Sequence, residues 1–351
     1  MAKQANLIFL ISQPRAGSTL TQKILGNHPK IYTASEPWLM LHPLYALKKN
    51  GYEAEYNSYW ARSGLESFLE LMPNQKQTYF DAVAQNYGSL YARVLEKENK
   101  EYFLDKTPRY YNIIPELYHT FPNAKFIILL RNPLAVLCSI INTWVKDRWL
   151  GLRTFNHDLL HAPRLLVEGI NYLGDKAIVL RYEEILGNPE QVFRDAFGKM
   201  NLDFSADLLN YGNTNSQKWR LGDSTKVYQY DQADSQNIDR WITSLKTPQV
   251  WRLAKEYLDF LESGTLQSMG YNTCELQQYL EDSHPGFLRL WNTMPLDWVL
   301  KEPHEFGHWD YGYYPVRLVN ALQRKGLGGT GVEFIHKLAR TLSAASKLPQ
   351  K

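Results

Sequence analysis

The chain has 351 residues, enough for one large α/β domain with an appendage or for two modest domains. Its 39 Lys and Arg against 36 Asp and Glu leave a net charge of +3, which excludes the broad basic field that nucleic-acid binding exploits, so any anion must be held by a local site. Cys138 and Cys274 lack CxxC spacing or a Cys/His cluster and read as free thiols, and no run reaches the roughly 20 apolar residues of a membrane span or the length of a signal-peptide core, which predicts a soluble, cytoplasmic protein.

Residues 7–11 form a continuous apolar run closed by Ser12-Gln13-Pro14, the pattern of a strand buried on both faces of a parallel sheet. Residues 19–25 follow with helical periodicity. A short strand at Ile31-Tyr32-Thr33 and a helix beginning near Pro37 come next. Residues 63–71 read as a helix opened by a capping box of Ser63 and Glu66, and residues 80–98 as a second helix. Further strands are expected at 102–104, 124–130 and 177–180, and further helices at 133–145, 189–200, 238–245 and 248–261. Strands separated by helices predict a doubly wound α/β fold, with a central, mainly parallel sheet flanked by helices in three layers. After Gly270-Tyr271 the texture turns rich in Trp, Tyr, His and Pro without a clear period, so residues 1–272 read as the main domain and 273–351 as an irregular, aromatic-rich C-terminal extension.

The first strand runs into a helix through Gln13-Pro14-Arg15-Ala16-Gly17-Ser18-Thr19-Leu20. Backbone N–H groups and a positive helix end converge there, which favours an anion. Gly17 permits close backbone approach, Ser18 and Thr19 add hydroxyls, and Arg15 supplies a charged fork. Taken alone, the loop also fits a capped strand-to-helix turn. The ATP-type GxxxxGK[ST] pattern is absent, because no Lys precedes Ser18. A second anion contact is expected where residues 124–130 end at Arg131, with Pro133 opening a helix and Ser139 about two turns into it.

The loop Pro14 to Leu20 resembles the 5′-phosphosulfate loop of sulfotransferases that use 3′-phosphoadenosine 5′-phosphosulfate (PAPS), and Arg131-Asn132-Pro133 with Ser139 resembles their 3′-phosphate motif. Asp105-Lys106-Thr107-Pro108-Arg109-Tyr110 is similar to the family's Asp/Glu-Lys-Thr/Ser-Pro signature. Leu180-Arg181-Tyr182-Glu183-Glu184 is similar to the segment whose Tyr lies near the adenine, and residues 238–245 and Met269-Gly270-Tyr271 also fit. The match is to the Pro-Arg-x-Gly-Ser/Thr-Thr branch of bacterial, carbohydrate and tyrosyl-protein enzymes, rather than to the small-phenol enzymes, whose loop carries Lys where Arg15 stands. The resemblance implies a P-loop-like fold, PAPS as co-substrate, no metal, and a small-molecule, sugar or carrier-bound hydroxyl as acceptor. It implies nucleotide contacts from Pro14, Arg15, Ala16, Gly17, Ser18, Thr19, Leu20, Arg131, Ser139 and Tyr182, with Lys226 as a late contributor. Arg324-Lys325-Gly326 is reminiscent of a phosphate-binding segment of the small-phenol enzymes, in a different context.

Sulfuryl transfer, like phosphoryl transfer, depends on positioning and charge stabilisation, but the moving group carries one negative charge rather than two, so a metal is less needed. Arg15, Lys106 and the helix end can offset charge on the departing phosphate. A hydroxyl acceptor calls for a base. Glu36, in Ser35-Glu36-Pro37, stands where the resembling families place a catalytic Glu, although it also fits a capping acid for the helix near Pro37. His42 is the second candidate base. A buried Lys beside Thr-Pro is unusual without an anion, and an ion pair with Asp105 is the alternative account of Lys106. His304-Glu305-Phe306-Gly307-His308 matches HExxH, yet Pro303, Gly307 and Gly312 oppose the helix such a site needs, and no metal is expected. Two rivals stand beside the transferase: a small-molecule kinase using ATP, disfavoured by the missing Lys-Ser/Thr, and a non-catalytic nucleotide-binding protein.

Overall fold

The computed structural model describes residues 5–48, 57–210, 238–286, 290 and 293–300. Five strands, β1 (Asn6–Ser12), β2 (Ile31–Ser35), β3 (Tyr102–Lys106), β4 (Lys125–Leu130) and β5 (Ala177–Arg181), form one sheet in the order β2-β3-β1-β4-β5. Every pairing is parallel. The central strand β1 has Ile8, Phe9, Leu10 and Ile11 fully buried, because helices cover both faces. Phe9 and Ile11 join the core on one face, while Ile8 and Leu10 join the core on the other. The three-layer α/β fold is as expected.

On the face of Ile8 and Leu10 lie α1 (Ser18–Gly26), α9 (Tyr182–Gly187) and α10 (Pro189–Met200). On the opposite face lie α4 (Lys76–Glu98), α5 (Ile114–Thr120), α6 (Pro133–Ile140), α8 (Ala162–Leu173) and α11 (Pro248–Phe260). The remaining helices are α2 (Leu41–Tyr45), α3 (Ser58–Leu69), α7 (Asn156–Leu160), α12 (Ser263–Ser268), α13 (Thr273–Asp282) and α14 (Leu296–Leu300). Beyond residue 272, α13 and α14 bury Leu276, Leu280, Leu296, Val299 and Leu300 in the same core as α11. Trp251 Nε1 donates to the Leu280 carbonyl at 2.7 Å, tying α11 to α13. None of the described helices is long and apolar enough to cross a membrane.

Several local readings are corrected. Helix α3 starts at Ser58 rather than Ser63, since the Asn57 side chain accepts the Trp60 N–H and Glu66 bonds Arg62 one turn back instead of capping. The helix expected over residues 133–145 is α-helical only to Ile140 and ends in a π-turn, Ile141–Val145, closed by Lys146 at φ 55°. Residues Arg240–Lys246 form a 3₁₀ turn in place of an α-helix. The helix expected near Pro37 begins at Leu41, so Glu36 does not cap it.

Candidate active site

All five strands point their carboxyl ends at one edge, where an open parallel sheet places its ligand crevice. The loop after β1 enters α1 with Arg15 at φ 70° and Gly17 at φ 97°. A side chain at Gly17 is strained, and an added Cβ would lie 2.3 Å from the Tyr182 ring, so glycine lets the loop and that ring pack together. Gly17 is also the N-cap of α1 and has no side chain to satisfy the first-turn N–H groups.

Arg131, at the end of β4, donates from Nη1 to the Arg15 carbonyl at 2.9 Å and lies 4.2 Å over the Tyr182 ring centroid. Its Nε is buried and makes no hydrogen bond among the described residues. Arg15 Nε donates to Ser139 Oγ at 3.2 Å, with the guanidinium 5.1 Å from the Trp144 ring, which itself stacks on Phe155. Ser139 and Arg131, expected to share one phosphate, are thus both joined to Arg15. The loop that presents Arg131 is fixed by Glu183, whose carboxylate accepts the Asn132 N–H at 2.9 Å and the Tyr271 hydroxyl at 2.8 Å.

At the ends of β2 and β3, Ser35 lies in register with Lys106. The Glu36 N–H donates to the Lys106 carbonyl at 2.7 Å, and Lys106 Nζ donates to Glu36 Oε1 at 3.2 Å. The Lys106 side chain is fully buried and that of Glu36 is 19% exposed, so the two charges answer each other in a poorly hydrated place. Asp105 does not supply this partner, because strand alternation turns it to the other face. There its carboxylate accepts from Tyr91 (2.7 Å), Tyr110 (2.9 Å) and Thr107 (2.7 Å). The Tyr110 hydroxyl also accepts the Met40 N–H at 3.0 Å, tying the segment after Glu36 to β3. His42 is exposed on α2. Lys226 and the stretch from His304 to His308 lie outside the described residues.

Burial pushes the Asp105 carboxyl up to about 6, although its three hydroxyl donors and the Lys106 charge pull it down. A carboxyl that holds its proton more tightly when folded adds stability below its unfolded value near 4, and this is lost as pH rises through about 6. Relative to Asp105→Asn, the wild type is therefore expected to lose roughly 2–3 kcal/mol between pH 4 and pH 7. Urea midpoints of both proteins across that range check it, and a constant difference would refute it.

A family model described as the sulfotransferase family matches residues 7–206, more than half of the chain. The chain belongs to the sulfotransferase family. The chain is 25% identical to nodulation protein NoeE of Sinorhizobium fredii over 288 residues, 76% of this chain and 66% of that protein. It is 30% identical to an uncharacterized protein of Aquifex aeolicus over 215 residues, covering 59% of this chain and 27% of the relative. It is 24% identical to the protein-tyrosine sulfotransferase of Drosophila melanogaster over 214 residues, 60% of this chain and 40% of the relative. The chain thus spans less than two thirds of each of these relatives. Among solved structures it is similar to the sulfotransferase domain of the Synechococcus PCC 7002 olefin synthase, with a TM-score of 0.44, 24% identity and coverage of 68% of this chain and 88% of that one.

Sequence reasoning missed four residues around the expected site: Trp38, Arg109, Trp144 and Asp158. Trp38 Nε1 donates to Glu36 Oε2 at 3.4 Å, and Arg109 lies 5.2 Å over the Trp38 ring. Arg109 forks onto Asp158, Nε to Oδ1 at 2.9 Å and Nη2 to Oδ2 at 2.6 Å. The available signals were the position of Arg109 beside Lys106-Thr107-Pro108 and of Trp38 two residues after Glu36.

Proposed function

We propose that this sulfotransferase moves the sulfuryl group of PAPS to an acceptor hydroxyl, with Glu36 as general base and the bisphosphate nucleotide PAP released. The observation that carries the reading is the Lys106–Glu36 pair at 3.2 Å, set at the strand ends beside the loop of Arg15, which is already bonded to Ser139 and, through its carbonyl, to Arg131 at the end of β4. The residues fit the nucleotide: the buried Arg131 Nε lacks a partner among the described residues, and the Gly17 cap leaves first-turn N–H groups for an anion. Pro14 through Leu20, Arg131, Ser139 and Tyr182 would hold it, with Lys226 a further contributor. When bound, PAPS supplies the sulfuryl group and a phosphate leaving group.

Glu36 accepts the acceptor's hydroxyl proton as the oxygen–sulfur bond forms. The bond from sulfur to the bridging phosphate oxygen breaks, and its electron pair stays on that oxygen, where Lys106 and Arg15 offset the charge. His42 is the second candidate for the base. The acceptor class proposed is a small-molecule, sugar or carrier-bound hydroxyl.

Thermal unfolding with PAPS, PAP and Mg²⁺-ATP tests the reading. PAPS and PAP are each expected to stabilise the fold, by about 2.7 kcal/mol at a hundredfold excess over Kd. Stabilisation by Mg²⁺-ATP alone would replace the reading with a kinase.

A further inference from the structure

We infer that Trp38 is a positioning residue for Glu36, and that the Arg109–Asp158 ion pair holds Trp38 in place. The inference rests on the assignment of Glu36 as the base.

The segment Glu36-Pro37-Trp38 has an uncommon backbone. Glu36 sits at φ 54° and Trp38 at φ 56°, the left-handed region that a non-glycine residue enters only at an energetic cost. Such a shape persists only where its surroundings over-determine it. Here the Glu36 N–H is tied to the Lys106 carbonyl, the Met40 N–H to the Tyr110 hydroxyl, and the Leu41 N–H to the Trp38 carbonyl. The outcome is that Trp38 Nε1 reaches Glu36 Oε2 while Lys106 holds Oε1. With a donor on each oxygen, the carboxylate cannot rotate without losing one of them, and each oxygen keeps a further lone-pair direction for an incoming proton.

The indole is itself located from behind. Arg109 stacks over it at 5.2 Å and is immobilised by the two-pronged contact with Asp158. Asp158 is 2% exposed, and its carboxylate also accepts the Tyr111 hydroxyl at 2.7 Å. Its backbone carbonyl accepts Gln13 Nε2 at 2.7 Å, at the entrance to the β1–α1 loop. Contacts therefore run from the nucleotide loop through Asp158, Arg109 and Trp38 to Glu36. A plain structural ion pair would need neither the left-handed Trp38 nor the indole N–H on the base.

A double-mutant cycle on the full chain tests this, with radiolabelled PAPS as the probe, sulfate release to water as the rate, and PAP affinity by calorimetry as the control for folding. Trp38→Phe keeps a ring beneath Arg109 and removes the N–H. It is expected to lower kcat about tenfold, with KM for PAPS and PAP affinity changed less than about twofold. In a Glu36→Gln background the same change is expected to have no further effect, because the two residues act as one unit. An unchanged kcat in the single variant, or an equal fall in both backgrounds, overturns the inference. If Trp38→Phe fails to bind PAP, Arg109→Lys decides the matter: it loses the fork and the flat cation, and is expected to lower kcat about threefold in the Glu36 background alone. An equal effect in both backgrounds again overturns the inference. A Glu36→Gln variant as fast as wild type removes the base assignment instead, and that result is read before Trp38 is touched.

Discussion

Glu36→Gln is expected to lower turnover of PAPS by about 10²–10⁴-fold while PAP binding stays near wild type. The amide matches the carboxylate in shape and leaves Arg15, Arg131 and Ser139, the residues proposed to hold the nucleotide, joined to one another as before. It cannot take a proton at neutral pH, and only one of its two terminal atoms accepts a hydrogen bond, so Lys106 and Trp38 cannot both be satisfied as they are by the carboxylate. Lys106, whose side chain is fully buried, also loses the charge of Glu36, so a lower melting temperature should accompany the loss of rate. Single-turnover rates with radiolabelled PAPS, normalised to sites titrated with PAP, separate the two effects. Activity within about threefold of wild type would transfer the role to another base, with His42 the next to replace.

The largest stability effect is expected from Arg109→Met. The Asp158 side chain is 3% exposed, so removing the guanidinium leaves a buried carboxylate with only the Tyr111 hydroxyl donating to it from the contacts described above. Breaking a buried pair in this way costs about 3–5 kcal/mol. Asp158→Asn should cost less, about 1–2 kcal/mol, because the Arg109 side chain is 29% exposed and can reach water, while the amide still offers an acceptor. Urea midpoints for the two variants measure the asymmetry. Equal losses would mean that water reaches both partners alike.

Some of this organisation is legible in the sequence because it is local. The apolar run of β1 and the Gly17-Ser18-Thr19 entry to α1 depend on neighbours within one turn or one strand, and both lie where the pattern places them. Strand β3 shows how the signal fades: its apolar part stops at Leu104, yet the ladder continues through Asp105, held by three hydroxyls, and Lys106, whose partner Glu36 lies 70 positions away. The false start of α3 has a similar origin, since a Ser and a Glu three apart satisfy the capping pattern inside a helix too, where Glu66 finds Arg62. The π-turn after Ile140 adds one residue to a turn without disturbing the apolar spacing that suggested a longer helix. Asp158 was invisible for a different reason. Its partners Arg109 and Gln13 lie 49 and 145 positions away, and nothing in its immediate neighbours distinguishes it.

Because Asp105 and Lys106 are consecutive yet face opposite ways, β3 carries two instructions in one reading frame. A slip of a single residue would drive the ammonium group into the Tyr91–Tyr110 layer and carry the carboxyl out toward Glu36, reversing the sign of charge on both faces at once. Length variation between α4 and this strand must then be absorbed by the short connection at Asn99, Lys100 and Glu101, with the strand itself kept in phase. Folding and chemistry are thereby locked to the same alignment, and neither can drift without the other.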